Sequence, residues 1–321
     1  MSDDYIRSPL SQSLSSLKPK AKQPASTRVL NTWIAQAEGK MGAEAGGGRL
    51  GWLVASSIAI AAVQRAVDAS GQRLFLLKGG TLLQHRLSAV ARATRDVDGI
   101  VRGDMDEFLT SLDSALKHPW GSVTMRREEV EVIETPTKLI KPRRFDLVLE
   151  IRGVTWRRVR FEISPDEAGI GAESESVAPP SLAGFGLPDP DALAGIAMRY
   201  QVAQKLHAVS DPHEPPDYLN DRARDVVDLL LIRDLIADTR YPALADVRDA
   251  SLAVFLAREA EARELSLPTR QWPPTVIALP HWKGDYARAA ESGGISLSLD
   301  EAVAEVNAWI TEIDRSHRPG S

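Results

Sequence analysis

Apolar positions along this chain follow a helical period at both ends and a strand period in the middle. Residues 28–38 predict a first helix capped by Ser26 or Thr27 and closed by Gly46-Gly47-Gly48. Residues 50–69 are apolar on most faces and predict a buried helix that stops at Gly71. The period then changes. Residues 73–77 form a short apolar run, a buried strand that ends at Lys78-Gly79-Gly80. A helix over 81–90 leads to 96–101, which alternates as a half-buried strand does, and 105–116 reads as a crossover helix. Strands follow at 130–133, 145–151 and 154–163. In the last two, Phe145, Leu147, Leu149 and Ile151 share one face with Asp146 and Glu150 opposite, and Val159, Phe161 and Ile163 oppose Arg158, Arg160 and Glu162. Arg152-Gly153 is their hairpin turn.

Beyond a Pro/Gly/Ser-rich stretch at 173–191 the pattern is helical, over 192–209, 221–236, 243–262 and 298–313. Leu299, Val303, Val306, Ile310 and Ile313 give the last helix an apolar stripe. Pro268 to Pro280 interrupts the series, with Trp272 and Trp282 placed to fasten that loop to the body. The fold class expected is α+β with a mixed sheet, followed by a helical C-terminal domain. The division expected is a disordered tail at 1–27, a core at 28–172, a linker at 173–191 and a helical domain at 192–321.

The chain has 321 residues, 39 basic and 44 acidic, for a net charge of −5, and no cysteine. Thiolate metal sites, disulfides and a cysteine nucleophile are thereby excluded. The longest uncharged apolar stretch, 50–64, is shorter than the ~20 residues a spanning helix needs. Residues 8–27 are rich in Ser, Pro and Lys instead of carrying an apolar secretion signal, so a cytoplasmic protein with no membrane partner is expected.

Candidate chemistry starts at Asp96-x-Asp98. Residues i and i+2 of a strand point to one side, so the two carboxylates converge as hard ligands suited to Mg²⁺ and phosphoryl chemistry. Lys78-Gly79-Gly80-Thr81 sits at a strand-to-helix junction, where glycines admit a phosphate to the backbone and the helix N-terminus supplies free N–H groups. A simple turn with Thr81 as helix cap is the plain alternative. Lys205 and the pair Asp225/Asp228, at i and i+3, fall on two helices joined by a proline-containing loop, which allows the amine to meet the acids. An ordinary salt bridge, or pairing of the aspartates with Arg222 or Arg224, would explain the same residues.

Taken in order, Leu77-Lys78-Gly79-Gly80-Thr81, Arg92-x-Thr94-x-Asp96-Val97-Asp98, Ala203-Gln204-Lys205-Leu206-His207-Ala208 and Arg222-x-Arg224-Asp225-Val226-Val227-Asp228-Leu229 resemble the motifs of the AbiEii/MenT nucleotidyltransferase toxins. The resemblance covers roughly residues 70–235. It implies a DNA polymerase β-like nucleotidyltransferase core, an antitoxin partner, and transfer of a nucleotide from an NTP to the 3′ end of tRNA, which blocks aminoacylation and translation. It further implies that Gly79, Gly80 and Thr81, with Lys78 beside them, hold triphosphate and that Asp96 and Asp98 ligate Mg²⁺. Lys205 would contact the nucleotide, Asp225 would be its motif partner, and Arg224 and Asp228 would complete the helix-hairpin motif. The polymerase-β signature has Gly-Ser where this chain has Gly80-Thr81. A third carboxylate to orient the attacking hydroxyl falls to Glu162, with Asp146 as alternative; an exposed ion pair accounts for either equally well. Replacing Asp96 or Lys205 by Ala is expected to abolish transfer with the fold intact.

Residues 126–160 hold ten Lys or Arg against six acids, a stripe able to meet RNA phosphates on an otherwise acidic chain, or else a solvated sheet face. No histidine pair has metal-ligand spacing, and no GxSxG elbow exists. Three other readings stay open: nucleotide transfer to a small molecule, transfer to a protein such as the antitoxin, and a non-catalytic nucleic-acid or partner-binding module.

Overall fold

A computed structural model describes residues 14–42, 48–87, 94, 96–135, 138–216 and 218–316. The N-terminal part supplies α1 (Thr27–Met41), α2 (Arg49–Val63), β1 (Phe75–Lys78), α3 (Gly79–Arg86), β2 (Asp96–Val101), α4 (Met105–Ala115), β3 (Thr124–Arg127), β4 (Glu131–Val132), β5 (Arg143–Ile151) and β6 (Val154–Pro165). After these come β7 (Glu175–Val177), β8 (Leu193–Gly195), α5 (Met198–Val209), α6 (Ala223–Thr239), α7 (Leu244–Glu264), α8 (Lys283–Gly293) and α9 (Leu299–Arg315). The strands make one mixed sheet in the order β3-β5-β6-β2-β1-β8-β7, with β4 also paired to β5. Pairs β2–β6 and β1–β8 are parallel; the others are antiparallel. No described helix is long and apolar enough to cross a membrane.

Local chemistry sets these boundaries. Ser26 caps α1 by accepting from Val29 N, and Ser298 with Glu301 forms a capping box on α9. The helix expected over 50–69 ends at Val63 because Asp68 Oδ1 accepts from the backbone of Ser70 and Gln72. Those bonds turn the chain, and Val67 bridges Arg73. Arg152 and Gly153, both at positive φ, form the two-residue hairpin between β5 and β6.

Three expectations need revision. The tail assigned to 1–27 is packed on the body in its described part, 14–27, since Leu14 is fully buried and Lys20 N donates to Ala183 O, and residues 1–13 lie outside the described residues. The stretch assigned to a linker contributes β7, and residues 193–195, assigned to a helix, form β8. Strands of three residues are too short to show a period. Helix α8 and strand β3 were also unread. Trp282 is buried with its Nε1 on Asn220 O, and Trp272 Nε1 donates to Asp314 at 2.7 Å, so both fasten the proline-rich loop as expected.

Two apolar clusters hold the molecule. One joins the sheet to α1, α2 and α4; the other fills the space among α5, α6, α8 and α9. They interlock, because Ala203 of α5 and Val254 of α7 belong to the first while Leu83 of α3 belongs to the second. Leu76 and Ile100 lie on the same face as Lys78 and Asp98 by strand alternation, yet both are fully buried. That face is therefore covered at one end and open at the other.

Candidate active site

The site grows from register. Lys78 pairs with Asp98 across β1–β2, and Asp98 pairs with Glu162 across β2–β6. Glu162 in turn pairs with Arg144 across β5–β6. Cross-strand partners project to the same side, so these side chains stand in one row. The next row holds Asp96, Arg160 and Asp146. Lys78 Nζ donates to Ser164 Oγ at 2.6 Å.

Charge in the first row is unevenly matched. Burial pushes the Asp98 carboxyl up to about 6, opposed by Lys78 and Lys205 and reinforced by Glu162 and Asp96. Lys205 thus belongs to the electrostatic surroundings of the acid pair although it lies over a hundred positions along the chain. Among the described residues Glu162 has Arg144 as its ion partner, at 3.9 Å. Burial also pushes the Lys78 ammonium below its usual value, with Asp98 and Glu167 opposing.

Lys205 is 8% exposed and donates to Asp225 at 2.6 Å and to Asp228 at 2.7 Å. Burial alone would discharge it; the two aspartates more than offset that and hold its pKa above the ordinary value. An ammonium has three donors, so one remains without a partner among the described residues. The aspartates are thus anchors that fix a cation, and Asp228 is fully buried behind it. Arg224 is exposed and plays no part in this cluster.

At the glycine corner, Gly79 has φ +67, and a Cβ there would overlap the Asp98 carboxylate. Only glycine fits that close approach. Helix α3 begins here with no side-chain cap, so its first N–H groups are not taken by a capping side chain. Thr81 departs from expectation. It is fully buried, and its hydroxyl donates to Asp96 O at 2.8 Å, joined by Thr94 Oγ1 at 3.3 Å. The hydroxyl braces α3 against the acid strand and is not presented to a phosphate.

Asp146 is bound by Arg160 at 3.0 Å in the outer row, whereas Glu162 is adjacent to Asp98. The basic stripe proves largely neutralised. Arg126 pairs with Glu150, Arg127 with Asp113, Lys138 with Glu167 and Glu261, Arg143 with Asp106, and Arg158 with Glu128. Arg92 lies outside the described residues. Sequence reasoning missed Ser164, the hydroxyl under Lys78; its alternation with Glu162 on β6 was the available signal. It also missed Gln201, whose Nε2 donates to Gly79 O at 3.0 Å.

Among known structures, the chain is similar to MenT4, a nucleotidyltransferase toxin from Mycobacterium tuberculosis, at 17% identity and a TM-score of 0.46, over 91% of this chain and 99% of that one. It is also similar to JHP933 from Helicobacter pylori, at 12% identity and a TM-score of 0.38, over 81% and 90% of the two chains. No curated protein sequence matches. The family model described as nucleotidyl transferase AbiEii toxin, type IV toxin–antitoxin system, matches residues 61–306. That span takes in the acid strand, the glycine corner and the Lys205 cluster, and by it the chain belongs to the AbiEii nucleotidyltransferase toxin family.

Proposed function

We propose that the protein transfers a nucleoside monophosphate from an NTP to the 3′ end of tRNA, with Mg²⁺ held by Asp96 and Asp98, and that a cognate antitoxin restrains it in the cytoplasm. The observation that carries this reading is the row of Lys78, Asp98 and Glu162 side by side across β1, β2 and β6, with Asp96 on the same strand face, beside the uncapped start of α3.

The donor set fits a small divalent ion. Two carboxylates on one strand face are hard oxygen ligands, and the burial that pushes Asp98 up, reinforced by Glu162 and Asp96, is what a bound cation would offset. Among the described residues no group of three His, Asp or Glu is placed to hold a metal ion, so Asp96 and Asp98 would be its protein ligands. When bound, Mg²⁺ would neutralise phosphate charge and polarise the α-phosphorus. Gly79 and Gly80 would lend backbone N–H groups to the triphosphate. The unpartnered N–H of Lys205 would meet charge building on the departing pyrophosphate. Glu162, weakly paired, would take the proton of the attacking 3′-hydroxyl.

The neutralised basic stripe favours a second reading in which the acceptor brings few phosphates, as a small hydroxylated molecule does. One experiment separates them: incubate the pure protein with each α-labelled NTP and Mg²⁺, with total tRNA or with small hydroxylated acceptors. An extended tRNA band supports the first reading. Label on a small acceptor alone supports the second, and no transfer from any NTP overturns both.

A further inference from the structure

The amide of Gln201 is 2% exposed and ties three elements together. Arg86, itself 7% exposed, donates from Nη1 to Gln201 Oε1 at 2.6 Å. A guanidinium has no acceptor, so the amide oxygen must face it, which leaves Nε2 for Gly79 O at 3.0 Å. Arg86 is fixed in turn by Glu175 and by Ile196 O, both at 2.6 Å. Glu175 accepts from Met198 N at the start of α5 and from Tyr241 OH. Lys205 lies one turn beyond Gln201 on the same helix, so α5 holds the glycine corner and the buried ammonium together.

We infer that Gln201, oriented by Arg86, is a positioning residue for the transfer reaction, pressing the Gly79-Gly80 corner against Asp98 so that its N–H groups meet the triphosphate. The inference rests on the function proposed above for the reaction and on hydrogen bonding alone for the corner. Gly79 is where a small displacement matters, because it touches the acid and begins the helix that would receive phosphate. A shift of about 1 Å at such a point costs on the order of 100-fold in rate.

The test uses the full chain with two variants. Gln201→Glu keeps an acceptor for Arg86 and removes the donor to Gly79. Gln201→Met removes both while adding no charge, so it separates a lost donor from electrostatic repulsion. Hydrogen–deuterium exchange of the peptide covering 76–82, thermal unfolding, and KM for NTP are read together. In both variants exchange of the 76–82 peptide should quicken about tenfold while protection in α6 holds and the melting temperature falls by no more than a few degrees. KM should rise about fivefold or more. A merely structural role would reduce the folded fraction, lowering kcat and leaving KM unchanged. Wild-type values for either exchange or KM overturn the inference. If the wild-type protein uses no NTP, the proposed function falls, and exchange alone decides whether Gln201 holds the corner.

Discussion

The polar face of the sheet divides into two halves with the same alphabet and opposite logic. On the outer half, over β3, β5 and the start of β6, each named arginine meets an acid: Arg126 with Glu150, Arg158 with Glu128, Arg160 with Asp146. On the inner half, Asp98 is crowded by Glu162 and Asp96 and buried against Lys78. Matched, hydrated charges make a soluble surface and contribute little. Crowded, dehydrated ones hold their arrangement against electrostatic strain and are where chemistry is found.

The sharpest break of that contrast is at the acid pair. Asp98→Asn should lower transfer on the order of 10³-fold, measured with labelled NTP, while thermal stability stays near wild type, because relief of a buried carboxylate offsets the loss of the Lys78 ammonium's nearest countercharge. A clear loss of stability instead would make Asp98 a structural ion partner. Lys205→Ala should behave differently from the sequence expectation of an intact fold. It removes the ammonium that both Asp225 and Asp228 hold, a change of up to about 3–5 kcal/mol. Denaturant titration should show the loss, and adding Asp228→Asn should restore part of it.

Burial also governs two histidines outside the charge rows. His85 is pushed down to about 4 by burial, and His207 to about 3 by burial and by Arg270 and Lys138. Both pKa values are depressed on folding, so the unfolded chain binds more protons below pH 6.5. Their stabilisation is complete above that pH and is lost progressively on acidification toward 4. Each should remove about 2 kcal/mol between pH 7 and 5, and His85→Gln should flatten the slope of stability against pH in that window. The smallest effect belongs to the outer half. Arg126→Ala and Arg158→Ala should leave melting temperature and transfer rate at wild-type values, and a large drop in tRNA transfer in either would return the stripe to the acceptor site.

Much of the site was legible because its spacing is short. The period-2 pattern put Asp96 and Asp98 on one side, and the i, i+3 spacing put Asp225 and Asp228 before Lys205. Strand alternation also exposed Glu162 and Asp146 together, but only register could choose between them, since Glu162 meets Asp98 and Asp146 meets Arg160. The neutralising partners of the basic stripe were unreadable for the same reason. Glu128 follows β3 and Glu131 lies in β4, elements too short to declare their pairing. Thr81 was read as a phosphate donor because its hydroxyl could be counted; its direction, into Asp96 O, could not. Gln201 carried no pattern at all, being one polar residue whose partners lie 115 and 122 positions away.

Beneath the acids lies an aromatic bed. Phe108 stacks on Phe75, Phe75 meets Phe161 edge-on at 5.9 Å, and Phe161 stacks on Phe145 at 5.4 Å. Gly99, between Asp98 and Ile100, has no Cβ because the Phe75 ring occupies that space. The underside of the acid strand is therefore dry and unyielding, an anvil with no room to recoil. What meets an arriving ligand from the other side is carried by α5, whose Gln201 holds the glycine corner and whose Lys205 holds the buried charge.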